Sequence, residues 1–388
     1  MPTYGRWPVT LVRGEGIRVF DDGGNAYVDF AGGIACIPIG HSHPEWVRAV
    51  QDQVAALTHV SNLYATQPQE ELARRLVDVV GFDGQVFFSN SGAEANEAAL
   101  KLARRHGRPK GRTKVVALHG SFHGRTFASL AATGQPEKHA PFQPLPEGFV
   151  HVPPNDLDAL DRAVDLQTAA VLMEPVLGEG GVVPLESAFL RAARASCDER
   201  GALLVLDEIQ TGVGRCGPWF AFQQSGVEPD VVTSAKALAG GLPIGATIAR
   251  SEFAFARGEH ASTFGGGPVV CTAALAVLDV IEKEGLLENC RSQGERLLSG
   301  LNEVLRSAGI DEPARGLGLL IGAPVGTGRA HAVVAGLLER GFLATEAGPD
   351  VVRATPPLTV DSGSVDGFLE AFADALMSVT EAQTRVAQ

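Results

Sequence analysis

Several side chains suited to catalysis or ligand binding stand just after short apolar runs of this 388-residue chain. Ser91, Gly92 and Ala93 follow the run QVFFSN and begin a helical pattern. A serine N-cap followed by glycine leaves backbone N–H groups free at a helix start, and such groups bind anions such as phosphate. An ordinary capped helix has the same pattern, so this motif predicts a phosphate site only together with others.

Two further apolar runs carry candidate residues at their carboxyl ends. One run is followed by an aromatic ring and an arginine, and the other ends in an acid. Phe122 and Arg125 lie in HGSFHGRT after KVVAL, and arginine is a planar donor suited to binding a carboxylate. A glycine-rich turn of this kind is also common as plain structure. Asp207 ends ALLVLD, where a buried acid is costly unless a positive or hydrogen-bonding group receives it. Acids at strand ends also cap helices, so both roles stay open.

One lysine differs from the other five in the chain. Lys236 is the only charged side chain between Asp230 and Arg250, among small and apolar residues. A desolvated lysine has a lowered pKa and becomes the neutral amine that forms a Schiff base. The alternative is a lysine that reaches out to water from an apolar segment.

Together these segments supply an anion-binding helix start, an aromatic ring, an acid and a buried lysine. Pyridoxal phosphate requires this set: amides for its phosphate, an aromatic against its ring, a carboxylate for its ring nitrogen and a lysine for its aldehyde carbon. The combination predicts a pyridoxal-phosphate enzyme. A fifth segment, SNLY at residues 61–64, contains Tyr64 and could by itself be any loop.

Composition excludes several other classes of protein. The chain is 45% hydrophobic and 20% charged, with a net charge of −13, and it has no basic stripe interleaved with aromatic residues, so nucleic acid is not an expected partner. It has no run of eighteen apolar residues and no signal-peptide pattern, which predicts a cytoplasmic protein without a membrane partner. Its five cysteines never form a CxxC pair, so we expect reduced thiols and no metal site.

The alternation of short apolar runs with helical patterns predicts an α/β fold with a mostly parallel sheet between two layers of helices. We expect this large domain at residues 51–270. Residues 271–388 should begin with a long helical connection, of one or two helices, and continue as a smaller α+β domain. Residues 1–50 include a hairpin that turns at Gly23-Gly24-Asn25 and should pack with the small domain. In open parallel sheets ligands bind beyond the carboxyl ends of the strands, where the candidate residues lie.

The order and spacing of the motifs resemble the class III, fold type I pyridoxal-phosphate aminotransferases. The segments that carry this likeness are SGAEANEAALKLAR, FHGRT, LDEIQTGVGR, SAKALAGGLPIGA and STFGGGP. A second set resembles the acetylornithine aminotransferase branch: LVRGEGIRVFDDGGNAYVDFAGGIA, GHSHP, and HVSNLY followed by QPQ. The chain departs from the usual pattern at Leu177, Cys216, Gly267 and Glu346.

The resemblance implies a role for each matching residue at the cofactor. Lys236 would bond to the cofactor and Asp207 would pair with its pyridinium nitrogen, while Phe122 would stack on the ring. Gln210 would contact the ring hydroxyl, and the phosphate would be held by Ser91, Gly92 and Ala93. Thr263 is similar to the family threonine that reaches the phosphate of the neighbouring subunit, which implies a homodimer with shared active sites.

The expected substrates are an ω-amino donor and the pair 2-oxoglutarate and glutamate. 2-Oxoglutarate has two carboxylates, so two cationic partners are wanted, and Arg125 and Arg353 are the candidates. The donor has no carboxylate beside its reacting carbon, and Glu179 could then neutralise Arg353. The alternative is that Glu179 and Arg353 form a permanent structural pair. Tyr64 is a further candidate for substrate binding.

The favoured function is transamination of the terminal amine of N2-acetyl-L-ornithine with 2-oxoglutarate, in arginine biosynthesis. Other ω-amino donors are the nearest alternative: ornithine, succinylornithine, 4-aminobutyrate, diaminobutyrate or an amine of specialised metabolism. An alternative from another class is an α/β protein that binds a phosphate or nucleotide without a covalent bond. That alternative leaves Lys236 without a role.

Overall fold

The computed structural model describes residues 1–387, and it describes side-chain surroundings for residues 1–381. The strands in this part of the chain are β1 (Leu11–Glu15), β2 (Arg18–Asp21), β3 (Ala26–Asp29), β4 (Gly84–Ser89), β5 (Lys114–Leu118), β6 (Phe149–Val152), β7 (Thr168–Met173), β8 (Val176–Leu177), β9 (Val183–Pro184), β10 (Leu203–Asp207), β11 (Val231–Ser234), β12 (Gly245–Arg250), β13 (Arg315–Leu317), β14 (Leu320–Pro324), β15 (Phe342–Leu343), β16 (Thr345–Glu346) and β17 (Val351–Ala354).

The α-helices are α1 (Gly32–Ala35), α2 (Pro44–Ala56), α3 (Gln67–Val80), α4 (Gly92–Gly107), α5 (Phe127–Ala132), α6 (Pro136–His139), α7 (Leu157–Ala163), α8 (Ser187–Arg200), α9 (Pro268–Lys283), α10 (Leu286–Ser307), α11 (Ala330–Glu339) and α12 (Ser362–Ala387). Short 3-10 helices cover Arg108–Lys110, Ala140–Phe142, Ala221–Gln224, Lys236–Ala239 and Ser251–Phe253. No helix among the described residues is both long enough and apolar enough to span a membrane.

The centre of the fold is a seven-stranded sheet in the order β4-β12-β11-β10-β7-β5-β6. Strand β12 runs antiparallel to both of its neighbours, and the other pairs are parallel. Every residue of β7 is buried, because helices cover both faces of the sheet. Val171 and Met173 pack in one hydrophobic layer, whereas Ala170 and Leu172 pack in the other. This two-sided burial confirms the predicted α/β fold.

Three smaller sheets surround the centre. The hairpin of β2 and β3 forms at the predicted turn, and β3 also pairs in parallel with β15, more than 300 residues further along the chain. The C-terminal strands form an antiparallel sheet in the order β13-β14-β17-β16, and β8 pairs with β9. The predicted division into domains at residues 50 and 270 stays a prediction.

The connection predicted as one or two long helices consists of two. Helices α9 and α10 are separated at Gly285, whose φ of 64° lies in the left-handed region that favours glycine. Strands β11 and β12 were not predicted from the sequence; they lie on either side of Lys236 and the glycine- and proline-rich segment that follows it.

The carboxyl ends of the parallel strands place the candidate residues at one edge of the central sheet. Ser91 follows β4, Phe122 follows β5, Asp207 ends β10 and Lys236 follows β11. Because these strands run in the same direction, the four residues meet at one edge although they are far apart in sequence.

A stacked aromatic group joins the N-terminal segment to the C-terminal helix. The rings of Phe30 and Phe368 are parallel, 4.1 Å apart, and the ring of Phe342 meets both by its edge. Phe30 and Phe368 are fully buried. This group fixes the pairing of β3 with β15.

Truncating this group should destabilise the protein strongly. We expect Phe368→Ala to lower the free energy of unfolding by about 3–5 kcal/mol, because it removes a buried ring and leaves a cavity. The matched control is Phe142→Ala, at a ring that is 51% exposed, with an expected change below about 1 kcal/mol. Urea unfolding of the three proteins measures the difference, and equal losses in both variants would contradict the proposed role of the aromatic group.

Candidate active site

A cavity of about 380 Å³ opens at the carboxyl edge of the central sheet. Its walls come from the segments after β4, β5, β7, β10 and β11. Eight of the predicted site residues line it: Ser91, Gly92, Ala93, Phe122, Arg125, Asp207, Gln210 and Lys236. The structure therefore brings together the four kinds of group that the sequence predicted.

The carboxylate of Asp207 is 2% exposed and is held by three hydrogen bonds. Its Oδ2 accepts from Asn96 Nδ2 and from His123 Nδ1, both at 2.7 Å, and its Oδ1 accepts from the Ile209 amide at 3.1 Å. Asn96 is fixed in turn because its Oδ1 accepts from the Thr233 hydroxyl at 2.8 Å. Asp207 is thus a preorganised acceptor in the cavity wall.

Lys236 starts a 3-10 helix whose next three residues are buried. Burial lowers the pKa of the Lys236 amine because it disfavours the charged form, while the nearby carboxylate of Glu179 acts in the opposite direction. The lowered pKa favours the neutral amine that acts as a nucleophile or a general base.

The N-terminus of α4 forms the anion-binding end of the cavity. The Ser91 hydroxyl accepts from the Glu94 amide at 3.2 Å and caps the helix. The first amides of a helix have no intrahelical acceptor, so those of Gly92 and Ala93 can bind an anion. A Cβ on Gly92 would lie 2.8 Å from Ile209 Cδ1, so a larger residue here would require the Ile209 side chain to shift.

Arg353 and Glu179 form an ion pair beside the cavity. Arg353 is 1% exposed, and its Nη1 donates to Glu179 Oε1 at 2.5 Å, to the Gly178 carbonyl at 3.0 Å and to Gln210 Oε1 at 3.3 Å. Its Nε donates to the Thr345 hydroxyl at 3.1 Å. Burial would raise the pKa of Glu179, but the positive charges of Arg353 and Lys236 outweigh it and lower that pKa.

Two predicted site residues lie away from this cavity within the chain. Tyr64 is 70% exposed, and Thr263 lines a separate groove of about 940 Å³ together with Ser61 and Leu63. Neither Tyr64 nor Thr263 lines the cavity of its own chain.

The positions that depart from the family pattern lie outside the lining of the cavity. Leu177 and Cys216 are buried in the hydrophobic core, and Gly267 immediately precedes α9. The carboxylate of Glu346 lies 2.8 Å from His331 Nδ1.

The sequence analysis missed three residues of the site: Asn96, His123 and Glu174. Asn96 and His123 hold Asp207, and only the folded structure reveals those contacts. Glu174 lines the cavity and is 4% exposed. It directly follows the run AAVLM, so the inspection of strand ends could have found it.

The donor set fits pyridoxal phosphate. Amides at a helix start suit its phosphate, the Phe122 ring can lie against its ring, the Asp207 carboxylate suits a protonated ring nitrogen, and the Lys236 amine suits its aldehyde carbon. No cluster of histidine, cysteine or acidic side chains in the described part of the chain could hold a metal ion.

Comparisons with known proteins agree on one family. The family model described as Aminotransferase class-III matches residues 2–376. An acetylornithine aminotransferase of Mycobacterium tuberculosis is 50% identical over 375 residues, which cover 96% of this chain and 92% of the relative. One of Caldanaerobacter subterraneus is 44% identical, over 98% of this chain and 97% of the relative.

Solved structures give the same result. The ornithine aminotransferase of Toxoplasma gondii matches with a TM-score of 0.93 and 30% identity, over 98% of this chain and 93% of that one. The N-acetylornithine aminotransferase of Stenotrophomonas maltophilia matches with a TM-score of 0.85 and 36% identity, over 97% and 98% of the two chains.

Removing the half-buried amine of Lys236 should stabilise the cofactor-free protein. The folded state lowers the pKa of Lys236 below its ordinary value of 10.5, so its charge opposes folding at neutral pH and ceases to do so above 10.5. We expect Lys236→Met to raise the free energy of unfolding at about pH 7, and the gain to shrink as the pH rises towards 10.5. Urea unfolding at about pH 7 and about pH 9.5 tests this.

The control for this prediction is Lys110→Met, at an exposed lysine, which should change the free energy of unfolding little at either pH. Destabilisation by Lys236→Met at about pH 7 would contradict the expected cost of the buried charge.

Proposed function

Because this chain belongs to the class-III aminotransferases, we propose that it transfers the terminal amino group of N2-acetyl-L-ornithine to 2-oxoglutarate. The products are N-acetylglutamate 5-semialdehyde and L-glutamate, within arginine biosynthesis. The observation that carries the proposal is the convergence of Lys236, Asp207 and the α4 N-terminus on one cavity, with the Arg353–Glu179 pair beside it. Relatives named acetylornithine aminotransferases over nearly the whole chain support the choice of donor.

Asp207 would hold a proton at the cofactor ring nitrogen. Bound pyridoxal phosphate supplies an electron sink that stabilises the electron pair left when a proton departs from the substrate carbon. Asn96 and His123 orient the Asp207 carboxylate, so its negative charge stays directed at the cavity. Gln210 and Phe122 line the same cavity and would contact the ring.

Lys236 would move the proton at the reacting carbon. Its burial favours the neutral amine, so Nζ could accept a proton from the terminal carbon of the donor and pass it to the cofactor within the same half-reaction, and carry out the reverse transfer in the second half. The same residue therefore serves as general base and general acid.

The Arg353–Glu179 pair would let one site accept two unlike substrates. Arg353 is held by the Gly178 carbonyl and the Thr345 hydroxyl, whereas Glu179 is 28% exposed. Glu179 is thus the member of the pair that can turn away. Paired, the two groups present little net charge to the donor; separated, they leave Arg353 to bind the carboxylate beside the keto carbon of 2-oxoglutarate. Exposed Arg125 would bind the remaining carboxylate of either substrate.

We propose that two copies of the chain share their active sites in a cytoplasmic homodimer. Leu63, Tyr64 and Phe264 are 87%, 70% and 65% exposed. Leu63 lines the same groove as Thr263, and the three exposed apolar side chains indicate an interface with another molecule. A second copy seated there would bring Thr263 and Tyr64 towards the cavity of its partner.

Other ω-amino donors are the remaining alternative, ornithine first, because the chain also matches an ornithine aminotransferase with a TM-score of 0.93. The alternative of a protein that binds phosphate without a covalent bond is wrong, because the chain belongs to an aminotransferase family.

Donor selectivity tests the proposed function directly. With 2-oxoglutarate as acceptor, we expect kcat/KM for N2-acetyl-L-ornithine to exceed that for ornithine, succinylornithine, 4-aminobutyrate and diaminobutyrate by at least about tenfold. Glutamate formation is measured for each amine, with Lys236→Ala as a folded control without turnover. A higher kcat/KM for another amine would replace the proposed donor.

Separate half-reactions test the roles of the three charged residues. We expect Glu179→Ala to weaken reaction with the donor and to improve reaction with glutamate, because Arg353 is then permanently free. Arg353→Ala should raise the KM for 2-oxoglutarate by about tenfold or more and change the donor half-reaction less, whereas Arg125→Ala should impair both. The cofactor absorbance follows each half-reaction, and equal losses in both halves for all three variants would indicate a permanent structural pair.

A further inference from the structure

A buried carboxylate that has no cationic hydrogen-bond partner among the described residues lies in the cavity wall. Glu174 directly follows β7 and is 4% exposed. Its Oε2 accepts from the Phe122 amide at 2.9 Å, and its Oε1 accepts from the Gly178 amide at 3.3 Å. Its two oxygens therefore join two segments that are more than 50 residues apart in sequence.

Each of the two segments positions a different part of the site. The first carries the ring of Phe122, which lines the cavity. The second carries the Gly178 carbonyl, which accepts from Arg353 Nη1 at 3.0 Å, and it continues into Glu179, the ion-pair partner of Arg353. Glu174 is thus a direct link between the aromatic wall and the Arg353–Glu179 pair.

Neighbouring packing makes this link stiff. A Cβ on Gly178 would lie 2.2 Å from Gln210 Oε1, and a Cβ on Gly180 would lie 2.5 Å from the Gly120 carbonyl oxygen. The backbone on both sides of Glu179 therefore packs closely against residues of the cavity region. Gly178 donates its amide to Glu174 and offers its carbonyl to Arg353. A shift of the Gly178 backbone therefore also moves an acceptor of Arg353.

Only a carboxylate can accept from both amides. An amide side chain offers one acceptor oxygen and one NH2 group, which would face a backbone N–H. Burial raises the pKa of Glu174 to about 7, and the charge of Asp207 acts in the same direction, while His123 and Lys236 oppose it.

We propose that Glu174 is a positioning residue that holds the Phe122 segment and the Arg353–Glu179 pair in register, and so sets the affinity of the site for dicarboxylate substrates. The proposal rests on the proposed function only through the reaction with glutamate and 2-oxoglutarate, which all the ω-amino donors considered share. The donor's identity does not enter its test.

The chain provides a control for a buried carboxylate. Glu208 is fully buried, its pKa is also raised to about 7 by burial, and it also accepts from two backbone amides, those of Ala221 at 3.1 Å and Phe222 at 2.8 Å, and in addition from the Thr211 hydroxyl. Unlike Glu174, it does not line the cavity. Glu174→Gln and Glu208→Gln therefore compare the same chemical change inside and outside the cavity wall.

The experiment measures cofactor binding and the glutamate half-reaction in Glu174→Gln, Glu174→Ala and Glu208→Gln. In Glu174→Gln the remaining oxygen should keep the shorter bond to the Phe122 amide and lose the longer one to Gly178. We expect the Kd for pyridoxal phosphate, titrated into cofactor-free protein, to stay within about threefold of wild type, and the KM for 2-oxoglutarate to rise about tenfold with kcat less affected.

Glu174→Ala should lose the hydrogen bonds to both the Phe122 and the Gly178 amides. We therefore expect it to bind the cofactor more weakly and to alter the circular-dichroism band of the bound cofactor. Glu208→Gln should lower the melting temperature and leave Kd, KM and the dichroism band unchanged. Unchanged KM in Glu174→Gln, or an equal change in Glu208→Gln, would overturn the positioning role. Failure of wild type to react with glutamate would instead overturn the proposed function.

Discussion

The need to compensate buried charge governs this site. Asp207 lies at the end of a fully buried strand, where an uncompensated carboxylate would be too costly to keep ionised. Asn96, His123 and the Ile209 amide supply three hydrogen bonds to it, and these donors come from helix α4, the segment after β5 and the turn after β10. Hydrogen bonding to the Asp207 carboxylate thus holds these three segments together at the edge of the sheet.

The same constraint shapes the second layer around the cavity. Arg353 Nη1 donates hydrogen bonds to two side-chain oxygens and one backbone carbonyl. The carboxylate of Glu174 accepts hydrogen bonds from two backbone amides. Arg215 is an exception in the described part of the chain: its Nη1 donates to the carbonyls of Leu319 and Pro356, but its Nε and Nη2 have no hydrogen-bond partner. Burial accordingly lowers its pKa.

Residues at strand ends could be predicted from the sequence, whereas residues that act through another side chain could not. Lys236 and Asp207 stand out because a charged residue interrupts or ends an apolar run. Asn96 sits within an ordinary helical pattern, and nothing in its spacing indicates that it reaches Asp207, 111 residues away. Strand β12 was missed because it begins directly after a glycine- and proline-rich segment. Tyr64 and Thr263 were assigned by resemblance alone, and their proposed roles require a second copy of the chain.

The pairing of β4 with β12 has a consequence for how the protein is made. Strand β4 ends at the turn that begins α4, and within residues 1–387 its one neighbour in the sheet is β12, which begins at residue 245. Closing this long loop is entropically costly and slow relative to local contacts. During synthesis, the sheet edge that carries the turn after β4 cannot be completed until about two thirds of the chain has been translated. A nascent chain shorter than that lacks part of the central sheet, so the cavity at its edge is completed late in biogenesis.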